Sequence, residues 1–167
     1  GDVYKRQSAF AFYRGTAIVM ATDLGSQPDS GLTVQLCGDA HLSNFGLYAS
    51  PDRVPVFDVN DFDETNPGPF EWDVKRLACS FTLAARDNAF PESVANDATI
   101  AAARQYRLSM ADYAAKGALE VWYDRVDARY FEDLVKSGDA EFSARSVKET
   151  LDKAQQRTAW TAVRKLT

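Results

Sequence analysis

Histidine occurs once in the 167 residues and cysteine twice. One histidine, His41, cannot make a zinc site without a second histidine or cysteine at ligand spacing. Cys37 and Cys79 lie in apolar surroundings without CxxC spacing, which excludes a disulfide framework and makes a reducing cytoplasm the expected home. Apolar runs long enough to span a bilayer are missing, and so is the basic-then-apolar layout of a secretory leader, so no membrane is expected. Positive charge is not in excess either. A formal net charge of -5 removes the electrostatic reason to expect nucleic acid or anionic lipid, and suits a cation or Mg-phosphate partner better. Internal repeats and low-complexity linkers are absent, so nothing argues for two domains.

What is present is enough hydrophobic sequence, 46%, for one compact domain or a piece of a larger one. Residues 1–7, "GDVYKRQ", have neither an initiating Met nor any periodicity and are set aside as non-native or boundary sequence; residues 8–167 form the expected domain. "SAFAFYRGTAIVMATD" (8–23) predicts a buried helix, with Gly15 costing roughly 1 kcal/mol relative to Ala. "LTVQLC" (32–37), "FGLYA" (45–49) and "VPVFDV" (54–59) are strand-like and together suggest a small hairpin. Phe70, Val74, Leu77, Ala78, Phe81, Ala84 and Ala85 fall at helical spacing, with Pro69 at the first helical position and Glu71 and Asp73 in the first turn. Pro91 opens a further helix to about Ala115, stopped by Gly117, with Ala95, Ala98, Ala102, Tyr106, Met110 and Tyr113 on one face. Residues 118–136 are expected to be helical, Trp72, Trp122 and Tyr123 to be core, and the segment from about Ala140 to be a basic amphipathic helix. That pattern is still running at Thr167, so an incomplete domain is expected.

Two polar clusters sit at the ends of the strands, "GDAHLSN" and "NDFDE". Asp39 and Asn44 have the five-residue separation of the catalytic loop in protein-kinase-type phosphoryl transfer, where Asp accepts the hydroxyl proton and Asn holds Mg. Mg takes one or two protein carboxylates besides phosphate oxygens and water, and Asp61 is the natural one. Asp58, Asp61, Asp63, Glu64, Glu71 and Asp73 crowd residues 58–73 with no basic residue among them, and repel one another unless a cation or helix dipole intervenes. Against this stands the plain reading that Asp and Asn in turns bond nearby amides. His41 is expected to bond the loop backbone rather than a metal. Asp63 and Glu64 are balanced between a second metal contact and a solvated turn. Arg14 and Arg76 are expected to pair with the acidic cluster.

"GDAHLSN" resembles the GDxHxxN loop of aminoglycoside phosphotransferases and related small-molecule kinases. Those enzymes place a metal-binding Asp in a later "IDF" segment, then a Gly about seven and a helix-embedded Asp about twelve positions on, as do Asp61, Gly68 and Asp73 here. "FAFYRGTAIVM", "QLCGDAHLSNFG", "VFDVNDFDETNPGPFEWDVKRLACSF" and "LEVWY" more closely resemble a bacterial family catalogued as domain of unknown function (DUF) 2252.

The resemblance implies an α+β, mostly helical fold: a kinase-like C-lobe with its catalytic-loop hairpin packed on helices. It implies Mg and ATP as cofactors and a small-molecule or protein hydroxyl as acceptor. It further implies Asp39 as catalytic base, Asn44 and Asp61 as metal ligands, and Gly38, Gly68 and Asp73 as support. His41, Asp58 and Asp63 stand as metal or loop-support candidates, and the choice between Asp58 and Asp61 stays open. Two departures count against it: Cys37 replaces the first His of HGDxH, and neither a GxGxxG nor a lysine-bearing strand precedes Asp39. The family's phosphate-covering loop and lysine are expected later in the chain than the catalytic loop, so these 167 residues by themselves are expected to be inactive. A pseudokinase-like binding module and a metal-dependent phosphohydrolase built on Asp39, His41, Asp58 and Asp61 are the alternatives.

Overall fold

A computed structural model describes residues 8–52, 54–127, 129–130, 133 and 136; the basic segment from about Ala140 lies outside them. The described part is α+β and mostly helical, with five α-helices and two small antiparallel sheets.

Ser8 starts α1 (Ala9–Arg14), its hydroxyl accepting from the Ala11 amide at 3.1 Å, an N-cap that satisfies one orphan donor of the first turn. The expected single helix over 8–23 is in fact two. Gly15 caps α1, and the Thr16 hydroxyl donates to the carbonyls of Phe12 and Tyr13 before α2 (Ala17–Gly25) begins. Nor is the run buried: Phe12, Ile18 and Val19 are exposed.

The three strand-like runs also part company. Strand β1 (Thr33–Leu36) pairs antiparallel with β4 (Asn66–Pro69), while β2 (Phe45–Ala49) and β3 (Pro55–Val59) form a separate hairpin. The sequence NPGP reads as a turn ending at a helical proline, yet it is a strand. A two-stranded ribbon leaves one side of each strand free, where prolines need no donor. The intervening phase is used instead, with the Phe70 amide donating to the Leu32 carbonyl at 3.2 Å. Gly68 lies opposite Val34, and a Cβ on it would come within 2.6 Å of Leu36 Cδ1. A larger residue there would make the buried Leu36 side chain shift.

Helix α3 (Glu71–Asp87) follows the predicted spacing and packs along α4 (Glu92–Ala114). Phe70 stacks on Tyr106 with centroids 6.1 Å apart, the hydroxyls of Thr82 and Thr99 meet at 2.5 Å, and Ala95 is fully buried. Small residues at the contact let the two helices approach closely.

The helix expected over 118–136 stops early: α5 is Ala118–Tyr123, and residues 129 and 130 are again helical. Trp122 and Tyr123 are solvent-exposed rather than core, Trp122 by 81%.

The described residues group into two units, one running to Asn44 with Asp61–Ala118, the other Phe45–Asn60 with residues from Leu119 onward. In the second, the Phe57 amide donates to the Val126 carbonyl (2.8 Å), Val56 bridges to Asp127, and Phe45 stacks on Phe57.

Candidate functional site

The sequence motif "GDAHLSN" folds as a bend after β1 followed by a single 3₁₀ turn, Leu42–Asn44. Gly38 makes the bend at φ +85°, and a Cβ there would lie 2.0 Å from the Glu64 carbonyl oxygen. Positive φ and close backbone approach both demand glycine. The second polar loop, residues 61–65, is thereby laid directly on the first. Thr65 pins it: its hydroxyl donates to the Leu36 carbonyl (2.6 Å) and accepts from Gln35 Nε2 (2.7 Å).

One stripe of α3 holds the first loop from below. Asp73, Arg76 and Ser80 are spaced i, i+3, i+7 and so share a face. The Asp73 carboxylate accepts the amides of Cys37 (2.7 Å) and Gly38 (3.1 Å), and Ser80 Oγ accepts that of Leu42 (2.9 Å). Arg76 reaches Asp39 Oδ1 with Nε at 2.6 Å and Nη2 at 2.5 Å. Ser80 is fully buried and Arg76 is 2% exposed. Tyr13 on α1 completes this layer. Its carbonyl accepts from Arg76 Nη2, its ring lies 4.4 Å from the guanidinium carbon, and its hydroxyl donates to the Arg76 carbonyl. Burial, and Cys79 beside it, push the Tyr13 phenol well up.

Asn44 is buried, and its Nδ2 joins the two loops. That nitrogen donates to the carbonyls of Asp39 and Asp61, both at 3.1 Å, and faces Cys37 Sγ at 3.7 Å. Its Oδ1 has no hydrogen-bond partner among the described residues. The Cys37 thiol, expected in apolar surroundings, lies instead against the Asp61 carbonyl at 3.7 Å. Burial raises it above the ordinary thiol range, and the carboxylates of Asp73, Asp39 and Asp61 add to this against a backbone hydrogen bond at Asp39.

His41, 5% exposed, contacts the Asp39 carboxylate, with Nε2 at 3.3 Å from Oδ2. Its Nδ1 is buried without a partner among the described residues. Burial is the main cause that lowers its pKa; Arg14 and Arg76 add to it, and Asp39 opposes.

These groups line a polar cavity of about 400 Å³ that includes Arg14, Asp39, His41, Asn44, Asp61 and Glu64. Asp61 is exposed, and its Oδ1 accepts from the Asp63 amide at 3.3 Å. Arg76, expected to pair with the acidic cluster of residues 58–73, pairs instead with Asp39 of the first loop. Arg14 has no carboxylate within salt-bridge distance among the described residues and contributes a cation to the cavity wall. Asp58 belongs to the β2–β3 hairpin, where its Oδ1 accepts from the Val59 amide at 2.8 Å. Among the described residues no three His, Cys, Asp or Glu side chains gather closely enough to hold a metal ion by themselves.

Reading for apolar periodicity missed Tyr13, Ser80 and Thr65. For Ser80 a signal existed: polar residues at i, i+3, i+7 beside a predicted core face imply a polar element packed on that side. Tyr13 and Thr65 carry none, because what they bond is distant in sequence.

Fold and site thus define a mostly helical α+β protein in which a glycine-hinged loop and an acidic loop are clamped on one helix. The family described as "Uncharacterized protein conserved in bacteria (DUF2252)" matches residues 5–167, and the chain belongs to it. The match begins at Lys5, inside the segment set aside above. No curated protein and no solved structure matches the chain.

Proposed function

We propose that this chain carries the catalytic loop of a kinase-like phosphotransferase, with Asp39 accepting the proton of an acceptor hydroxyl and Asn44 and Asp61 as Mg ligands. The observation that carries the reading is the state of Asn44. Its amide nitrogen is committed to the carbonyls of Asp39 and Asp61, so its carbonyl oxygen has a fixed direction, and it has no partner among the described residues. A fixed neutral oxygen and the carboxylate of Asp61, both from residues lining one cavity, are the kind of hard donors that Mg accepts together with phosphate oxygens and water. Mg held there supplies offsetting charge for the phosphates of ATP.

Asp39 lines the same cavity and does the proton work. The acceptor hydroxyl gives its proton to Asp39, its oxygen bonds the γ-phosphorus, and the bond to the β–γ bridging oxygen breaks to release ADP. The γ-phosphoryl transition state carries spread negative charge, and Arg14 is the cation on the cavity wall suited to meet it. The acceptor is a small hydroxyl compound or a protein side chain.

The test is calorimetric and kinetic, on the intact protein. Mg-dependent ATP binding is expected in the native protein and is weakened in Asp61→Ala. Asp39→Asn is expected to keep that binding while turnover falls about a hundred- to ten-thousand-fold. Binding that is undetectable, or identical in Asp61→Ala, removes the reading; ATP binding with no turnover in either the native protein or Asp39→Asn favours the pseudokinase-like binding module.

A further inference from the structure

We propose that Arg76 is the positioning residue of Asp39, holding one carboxylate oxygen so that the other is presented to the acceptor. The inference deepens the phosphotransferase reading and rests on it for its kinetic consequence. Nε at 2.6 Å and Nη2 at 2.5 Å both meet Oδ1, so the guanidinium grips a single oxygen side-on and does not fork across the two. It has no freedom to swing. Nη2 also donates to the Tyr13 carbonyl at 2.8 Å, Nη1 faces Met20 Sδ at 3.7 Å, and the Tyr13 ring lies 4.4 Å below the guanidinium carbon. The Tyr13 hydroxyl closes the circuit on the Arg76 carbonyl at 3.0 Å.

Oδ2 is left with the His41 contact at 3.3 Å. A carboxylate offers about four lone-pair sites in all. With Oδ1 taken up by the guanidinium, the open acceptor site is on Oδ2, and Asp39 lines the polar cavity. Lysine cannot reproduce this, because a point-like ammonium cannot hold Oδ1 and the Tyr13 carbonyl from a stacked plane. Removing the charge altogether would strand Asp39 in a largely buried site and endanger the fold, so the informative variant is Arg76→Lys.

In the intact protein with Mg·ATP, Arg76→Lys is expected to lower kcat about a hundredfold, the scale of a misplacement near 1 Å, with ATP affinity changed less than about twofold. The His41 ring-nitrogen resonances are assigned by their loss from the spectrum of His41→Gln. They are expected to move in Arg76→Lys as Asp39 shifts against Nε2. A kcat near the native value, unmoved His41 resonances, or a loss of ATP affinity as large as the loss of kcat each overturns the proposal. If the native protein transfers no phosphoryl group, the phosphotransferase reading fails separately, and the His41 resonances alone decide the matter: unmoved, they overturn the positioning role.

Discussion

Gly38 shows how much one residue can carry. It meets two demands that no L-side chain meets together, a φ of +85° and a neighbouring backbone oxygen 2.0 Å from where a Cβ would stand. Gly38→Ala must therefore strain the bend and push residues 61–65 away, and its expected cost is about 2 kcal/mol or more. Equilibrium urea denaturation measures it; a loss below about 0.5 kcal/mol, the range of an ordinary surface change, would show that the two loops are not in contact. The importance of this glycine is legible from the motif "GDAHLSN". Its partner is not, because Glu64 is brought to it only by the pairing of β1 with β4.

At the scale of the element, α3 has two distinct faces. The apolar one packs on α4 and follows directly from the periodicity. The polar one, Asp73, Arg76 and Ser80, supplies acceptors and a cation to a loop more than thirty residues earlier in the chain. Asp73 accepts two amides and Ser80 one. Asp73→Ala is therefore expected to destabilise more than Ser80→Ala, each unpaired amide costing about 1–3 kcal/mol where water cannot replace the partner. Hydrogen exchange gives the sharper reading. The amides of Cys37 and Gly38 should exchange faster in Asp73→Ala, and that of Leu42 in Ser80→Ala, without crossover between the two. Equal acceleration at all three amides in both variants would mean that the helix holds the loop only through global stability.

For the molecule as a whole, the notable quantity is apolar surface left in contact with solvent. Ile18 is 78% exposed, Ile100 64%, and Trp122 81%, and the part of α4 beyond Ala102 carries exposed Tyr106, Leu108 and Met110. Exposed apolar side chains are normal singly, but many large ones signal faces that packing has not covered. No helix among the described residues is long and apolar enough to cross a membrane. The 167-residue chain by itself is accordingly expected to bind a hydrophobic dye at neutral pH and to melt over a broad transition. A sharp two-state melt without dye binding would show that these faces are closed in solution.

The sequence by itself determined the helices of regular period, the glycine bend and the residues of the two polar loops, because each of these depends on local chemistry: apolar spacing, backbone freedom at glycine, and the turn preference of Asp and Asn. It placed the start of α4 to within a residue, at Pro91 against Glu92. What it could not determine was which strand pairs with which. The alternation in residues 32–37, 45–49 and 54–59 is satisfied equally by one hairpin or by two ribbons, and only long-range pairing chose NPGP as the partner of β1. Nor did it reveal that Arg76, Tyr13 and Ser80 form the bed of the first loop. A buried polar residue is stabilised by the partner it finds, and here those partners lie 37 to 63 residues away in the chain. Tertiary structure alone brought Asn44 Nδ2 between Asp39 and Asp61 and so linked the two polar loops.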